Sequence, residues 1–359
     1  MDFKKTPQKI LIYRLGSLGD TIIGLPAFHA IKNAFPNSRI TLLTNRPVAA
    51  KAAPVEAVLG QDYFFDDVLY YPLRTRNPWI LLKLLFVIFR KRIDCVINLN
   101  GFRSDFATLR DQTFFRMAGI KLFFGFQLSE KEKHPKLDPF SGEVEWEASR
   151  LARRVASFAQ VDLDDDKNWD LCLTGAENRE AEAHLANVSN QERLIAFSIG
   201  TKLQSKDWGI ANWRDLSRCL AADLRGWSAV FLGSQEEAEQ SEVCSSLWGQ
   251  RGLNLCGKSS PRVSAAVLSK CKLFIGHDSG PMHLAACVGV PCVAIFSARN
   301  LPREWFPRGD QNVVLYSKTD CAGCGLEVCI TQQKKCLTSI SVKKVEDAVR
   351  LKLKTLAFL

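Results

Sequence analysis

Short runs of aliphatic and β-branched residues alternate along the chain with stretches whose apolar positions recur at helical spacing, the arrangement that builds βαβ units around a parallel sheet. The pattern predicts strands at Lys9–Tyr13, Ile40–Thr44, Cys95–Leu99 and Lys121–Gly125, with helices over Thr21–Phe35, Pro78–Arg90, Arg103–Ala118 and Trp146–Ala159. It then begins again. Strands are predicted at Leu194–Ile199, Ala229–Leu232, Leu273–Ile275 and Cys292–Phe296, with helices over Asn212–Ala222, Met282–Val288 and Ser341–Leu356. Apolar periodicity lapses between Asp162–Asp166 and Val188–Arg193, which marks a boundary between two doubly wound halves enclosing a cleft. In such sheets ligands sit beyond the carboxyl ends of the strands.

The length of 359 residues fits two domains with sizeable cores. A composition of 47% hydrophobic and 24% charged residues excludes collagen-like, coiled-coil and largely disordered chains. The 48 basic residues exceed the 38 acidic ones, a net charge of +10 that favours an anionic partner without choosing among nucleic acid, phosphorylated substrate and acidic membrane. No recognition module or basic–aromatic interleaving supports nucleic acid. Eight of the twelve cysteines, Cys95 to Cys292, are scattered singly through apolar runs and read as small buried hydrophobes in a reducing compartment. The most lipid-like run, Trp79–Phe89, is interrupted by Lys83 and falls short of the ~20 residues a spanning helix needs. The expectation is a cytoplasmic protein that touches a membrane at most peripherally.

Four segments carry candidate chemistry. Arg14-Leu15-Gly16-Ser17-Leu18-Gly19-Asp20 follows a strand and opens a helix, where free amides and the helix dipole favour the carboxylate of Asp20. That placement suits a capping residue and a catalytic one equally. Gly200-Thr201 followed by Lys206-Asp207-Trp208 offers amide, hydroxyl and ammonium donors for a phosphate, although a solvated polar loop has the same residues. The densest is Gly276-His277-Asp278-Ser279-Gly280-Pro281-Met282-His283, packed between a strand and a helix N-terminus and suited to an anionic, hydroxyl-rich ligand. Glu236-Glu237, just past another strand, reads as a dipole complement or as a carboxylate for ribose hydroxyls.

Together these segments resemble glycosyltransferase family 9, the ADP-heptose:lipopolysaccharide heptosyltransferases. The resemblance rests on Lys9-Ile10-Leu11-Ile12 with Gly19-Asp20 and Leu25-Pro26-Ala27, on Lys206-Asp207-Trp208 with Trp213, on Gly233 with Glu237, and on Asp278-Ser279-Gly280-Pro281-Met282-His283-Leu284-Ala285. It implies an α/β GT-B fold of two Rossmann-like domains facing across a cleft: acceptor-binding residues 1–175, nucleotide-sugar-binding residues 190–340, and a helix over 341–359 returning toward the first domain. It also implies inverting transfer that requires no cofactor. By position, Asp20 matches the catalytic base, Thr201 and Lys206 the diphosphate contacts, and Glu237 the ribose contact. Asp278, Ser279, Gly280 and His283 match the donor-sugar loop. ADP-heptose is the implied donor. The acceptor implied is an acidic glycolipid, the Kdo/heptose inner core of lipopolysaccharide, held by Arg74, Arg76, Arg103 and Arg116. Alternatives are another nucleotide sugar or a protein or metabolite acceptor on the same fold, and a non-catalytic metal-binding protein.

Two features stand outside that scheme. Arg74, Arg76, Lys83, Arg90, Lys91 and Arg92 surround Trp79, Leu81, Leu82, Leu84, Leu85 and Phe86 without an acid, fitting either an anionic membrane surface or a helix packed on its own sheet. Cys321, Cys324, Cys329 and Cys336 supply four thiols for a structural zinc or iron, or order a loop without metal.

Overall fold

A computed structural model describes residues 6–45, 53–60, 63–72, 75, 77–127 and 129–356. The chain divides into two compact units, one made of residues up to Asp138 and Glu145–Asp170, the other of Pro139–Val144 and everything from Leu171 onward.

Among its described residues the first unit holds five parallel strands: β1 (Lys9–Tyr13), β2 (Arg39–Asn45), β3 (Asp67–Tyr71), β4 (Cys95–Asn98) and β5 (Leu122–Phe124). Their order is β3-β2-β1-β4-β5, with Ile10 facing Ile40 on one side and Cys95 on the other. Ile10, Leu11 and Ile12 are buried whichever face they point to, as expected of a strand covered on both sides. Helices Pro78–Lys91 and Asp105–Met117 bury Leu84, Ile88 and Phe115 on the face carrying Leu11, Tyr13 and Val96. The helix anticipated over Thr21–Phe35 is two, Leu18–Ile23 and Leu25–Ala34, joined at Gly24. Pro26 explains the break, because it lacks the N–H that a continuous helix would use and is favoured in a first turn.

The second unit holds six parallel strands, β6 (Leu194–Ser198), β7 (Ser228–Phe231), β8 (Gly252–Asn254), β9 (Leu273–His277), β10 (Cys292–Phe296) and β11 (Val313–Tyr316), in the order β11-β10-β9-β6-β7-β8. Phe197 pairs with Phe231 and Ile275, and its ring stacks on Phe231 at 4.8 Å. Trp208, Trp213, Trp227 and Trp248 fill one face of this core.

Strands β3, β8 and β11 are absent from the sequence pattern, and all three are sheet edges. An edge strand is only partly covered, so β3 (DVLYY) and β8 (GLN) lack the uninterrupted apolar run of the central strands. The segment read as a junction carries a further helix, Gly175–Leu185, which packs on Pro261–Leu268 of the second unit. Arg262 binds it there, through Glu177 and the carbonyls of Leu171 and Cys172. Helix Val342–Thr355 buries Val345, Val349 and Leu353 in the second unit's own core, against Ile210–Asp223, β10 and β11. Of the eight scattered cysteines six are buried, whereas Cys172 and Cys219 are half-buried; none of the twelve is in a disulfide. Among the described residues no helix is long and apolar enough to cross a membrane.

Candidate active site

In the second unit the strand order reverses between β6 and β9, and the loops leaving their carboxyl ends bring two of the sequence motifs together. Lys206 Nζ lies 2.6 Å from Asp278 Oδ2 and 3.3 Å from the Asp278 carbonyl oxygen. Next to this pair, helix Gly280–Cys287 starts at Ser279, whose Oγ is buried without a hydrogen-bond partner among the described residues. A buried hydroxyl, a helix start and an ammonium paired with a carboxylate are thus gathered in one place, and donors of these kinds suit an anion. His283, on the first turn of that helix, is buried edge-on to Trp305 and shapes the site from inside. Thr201 follows at the end of β6, its hydroxyl 3.5 Å from the Leu203 N–H.

His277, the last residue of β9, ties the two loops together. Its Nε2 accepts the Trp208 N–H at 3.0 Å and its Nδ1 faces the Gly200 carbonyl at 3.4 Å, so Nδ1 carries the proton and donates. Burial pushes this imidazole well below its usual pKa, against the pull of Asp207. Motif spacing alone flagged His277 only as one of a polar cluster; its position at a strand end, edge-on to Trp213 at 5.0 Å, shows it to be a neutral structural hub. Glu237 accepts the Ser234 N–H at 2.9 Å and lies against two glycines. A β-carbon on Gly200 would stand 2.0 Å from Glu237 Cδ, and one on Gly233 2.1 Å from Oε2. Both glycines therefore give the carboxylate room at the ends of β6 and β7.

In the first unit the reversal lies between β1 and β4, and Asp20 follows β1. Its Oδ2 accepts the Ser17 N–H at 2.8 Å and the Ser17 hydroxyl at 2.9 Å, a capping-box arrangement that leaves Oδ1 outside those bonds. The loop is held rigidly. Asn100 Oδ1 takes the Leu15 N–H, Asn45 Oδ1 takes the Gly16 N–H, and buried Arg14 donates to the carbonyls of Leu99 and Asp20. Cap and base are thus compatible, since one oxygen caps while the other stays available.

In the same unit, a cleft of about 600 Å3 is lined by Tyr13, Tyr71, Leu81, Arg103, Arg110 and Asp111 among others. Asp111 accepts from Arg103 at 2.7 Å and from Arg110 at 2.9 and 2.6 Å, so two guanidinium groups share one carboxylate and the cluster keeps a positive charge. Tyr13 and Tyr71 hydroxyls meet at 3.0 Å, and burial pushes the Tyr13 phenol above its usual range, keeping its proton. Arg116 does not line this cleft; its guanidinium lies over the Phe123 ring at 5.4 Å. Arg74 and Arg76 fall outside the described residues. Tyr71 was hidden because it sits on the unanticipated edge strand, whose end brings it to Tyr13, whereas Arg110 and Asp111 lie on an anticipated helix whose periodicity does not show that they share a cleft with it.

Residues 88–335 match the family described as glycosyltransferase family 9 (heptosyltransferase). The chain belongs to that family. It is similar to a lipooligosaccharide heptosyltransferase 2 of Campylobacter jejuni, 31% identical over 96% of this chain and 98% of the relative. It also resembles a lipopolysaccharide heptosyltransferase 1 of Pseudomonas aeruginosa, 30% identical over 90% of this chain and 88% of the relative. Among solved structures, the ADP-heptose lipopolysaccharide heptosyltransferase II of Escherichia coli superposes with a TM-score of 0.66 at 17% identity, covering 97% of this chain and 99% of that one. The two parallel-sheet units are those of the GT-B fold, and the protein is a glycosyltransferase.

The cysteine segment of this family 9 enzyme departs from the metal-site expectation. Among the described residues no group of three or more His, Cys, Asp or Glu side chains is placed to hold a metal ion. The four thiols lie close enough for Cys321 and Cys329 to bear electrostatically on Cys336, but they differ in exposure. Cys336 is buried in the tryptophan-rich core, where desolvation raises its pKa, and Cys324 is exposed. Cys321 lies 3.4 Å from the Thr319 hydroxyl, while Cys329 Sγ accepts the Lys334 N–H. The segment instead buttresses the Lys206 loop. Its Leu326 and Glu327 carbonyls accept from Ser205, its Cys329 N–H donates to Gln204, and Lys334 Nζ donates to the Asp207 carbonyl at 2.7 Å.

Proposed function

We propose that this glycosyltransferase moves a heptosyl group from ADP-heptose to the Kdo/heptose inner core of lipopolysaccharide with inversion at the anomeric carbon. The observation that carries the reading is the anion site of the second unit, Lys206 and Asp278 beside the buried Ser279 hydroxyl at a helix start, with Glu237 at the neighbouring strand end. That set has the donors a nucleotide diphosphate needs and a carboxylate for ribose hydroxyls. The names of the relatives support heptose as the sugar and lipopolysaccharide core as the acceptor.

In this reading Asp20 Oδ1 takes the proton of the acceptor hydroxyl as its oxygen attacks the anomeric carbon. The bond to the diphosphate breaks, and its electron pair leaves with ADP. Lys206, Thr201 and the amides at Ser279–Gly280 stabilise the charge gathering on the leaving group, so the reaction needs no metal. Gly280 admits the phosphate close to the backbone, and His283 supports that turn. Arg103, joined by Arg110, receives the acidic groups of the acceptor, since guanidinium forks match carboxylates and phosphates. The reading places the enzyme in the cytoplasm, on the side where nucleotide-activated sugars are available.

The test is to incubate the purified chain with ADP-heptose and a Kdo-containing acceptor and follow the acceptor by mass spectrometry, with GDP-, UDP- and dTDP-sugars as competitors. A heptose mass increment, with the product anomer inverted by NMR, is expected. Transfer from another nucleotide sugar would replace the donor assignment, and tight ADP-heptose binding without transfer to any acceptor would replace catalysis with binding.

A further inference from the structure

Helices Pro78–Lys91 and Asp105–Met117 pack side by side on one face of the first unit's sheet, and each has spent its inward residues there. Both nevertheless carry a second apolar stripe facing outward. On the first helix Trp79, Leu82, Phe86 and Phe89 recur at three- and four-residue steps, so they share one side. Trp79 is 77% exposed, and the other three are each more than half exposed. On the second helix Phe106, Leu109 and Met117 lie along one side, with Phe106 at 76% exposure. The stripes adjoin where Phe89 passes the β-carbon position of Gly119, 3.7 Å away. A monomeric soluble protein seldom leaves so many large apolar side chains together in water.

The charges around this face are one-sided. Lys83, Arg90 and Arg92 are exposed beside the first stripe, and Arg116 beside the second. No acidic residue occurs between Asn77 and Ile93. Asp111, on the second helix, is already held by Arg103 and Arg110, and Asp105 is paired with Lys133. A second copy of this chain is a poor occupant, because a two-fold contact would set these cations against themselves. An anionic bilayer surface fits both features: aromatic and aliphatic side chains enter the headgroup boundary while lysine and arginine meet lipid phosphates.

We propose that these two helices form an interfacial docking face that rests on anionic phospholipid, with Trp79, Leu82, Phe86, Phe89 and Phe106 inserted and Lys83, Arg90, Arg92 and Arg116 on the headgroups. The face stands independently of the donor and acceptor assigned above, since lipid binding needs neither.

The experiment uses the full chain with vesicles of phosphatidylethanolamine and phosphatidylglycerol, and vesicles of phosphatidylcholine alone. Co-sedimentation with the anionic vesicles is expected, weakening at least tenfold as salt rises from 50 to 500 mM through charge screening. Tryptophan emission should shift to the blue on binding. In Trp79→Phe that shift should disappear while sedimentation persists, because an apolar ring is retained. The pair Trp79→Ser with Phe86→Ser should lower partition at least tenfold, and Lys83→Gln with Arg90→Gln should remove most of the salt dependence, each at an unchanged thermal midpoint. The proposal is overturned if the wild-type chain ignores anionic vesicles at 50 mM salt, if the blue shift survives in Trp79→Phe, or if Trp79→Ser with Phe86→Ser dissociates a dimer instead. An undiminished partition of that pair overturns it equally.

Discussion

Glu237 occupies the space that any side chain on Gly200 would need: a β-carbon there would lie 2.0 Å from both Cδ and Oε1 of the glutamate. Two residues from different strand ends are thereby interlocked, and the position of the carboxylate depends on the missing side chain of a residue 37 positions earlier.

Gly200→Ala should therefore act through Glu237. The methyl group displaces a flexible side chain rather than backbone, so the fold survives, while nucleotide affinity falls by about tenfold, equivalent to ~1.4 kcal/mol. A double-mutant cycle with Glu237→Ala checks the route, because the glycine change should cost almost nothing once the carboxylate is gone. Additive losses in isothermal titration would refute the interlock.

Replacing Asp20 by Asn should separate catalysis from structure. The amide oxygen still accepts from Ser17, so the helix start persists, but no base remains; turnover should fall by about 10²–10⁴-fold. Donor affinity and thermal midpoint should stay near those of the wild type. A rate within threefold of wild type would remove Asp20 from the chemistry.

Lys206→Met tests the ion pair with Asp278, whose carboxylate is almost fully buried. Removing the ammonium leaves that charge without its partner, an expected loss of roughly 2–3 kcal/mol, or ~5–10 °C for a unit of this size. Adding Asp278→Asn should recover much of the midpoint without recovering nucleotide binding. Scanning calorimetry with and without ADP measures both.

Acid should weaken the second unit through His277. Its pKa is depressed in the folded state, so the unfolded chain binds the proton more readily. The stabilisation is complete above the unfolded value of about 6.5 and is lost as pH falls below it toward the depressed folded value. Burial depresses His29 in the first unit with the same sign. His277→Gln, which has a carbonyl and an amide for the same two partners, should flatten the decline in chemical denaturation between pH 6.5 and 5. A decline of unchanged slope would assign it to other groups.

Local pattern determined much of this protein. Central strands β1, β4, β6, β9 and β10 are buried on both faces and so announce themselves as apolar runs, and the loops after them hold glycines and polar residues in order. Asp20, Lys206, Glu237 and Asp278 were legible because helix starts and strand ends demand such residues whether or not they have chemistry to perform. Tertiary structure alone decided which of them meet. It placed Lys206 on Asp278 across 72 positions of chain, seated Glu237 between two glycines, and made His277 a neutral hub. It also brought the edge-strand Tyr71 to Tyr13, joined Arg110 and Arg103 on Asp111, turned Arg116 toward Phe123, and gave the four clustered cysteines different exposures. The reason is one of range. Helix and strand periodicity record whether a position faces the core, but the partner it finds there depends on strand order and crossover, which no local window encodes.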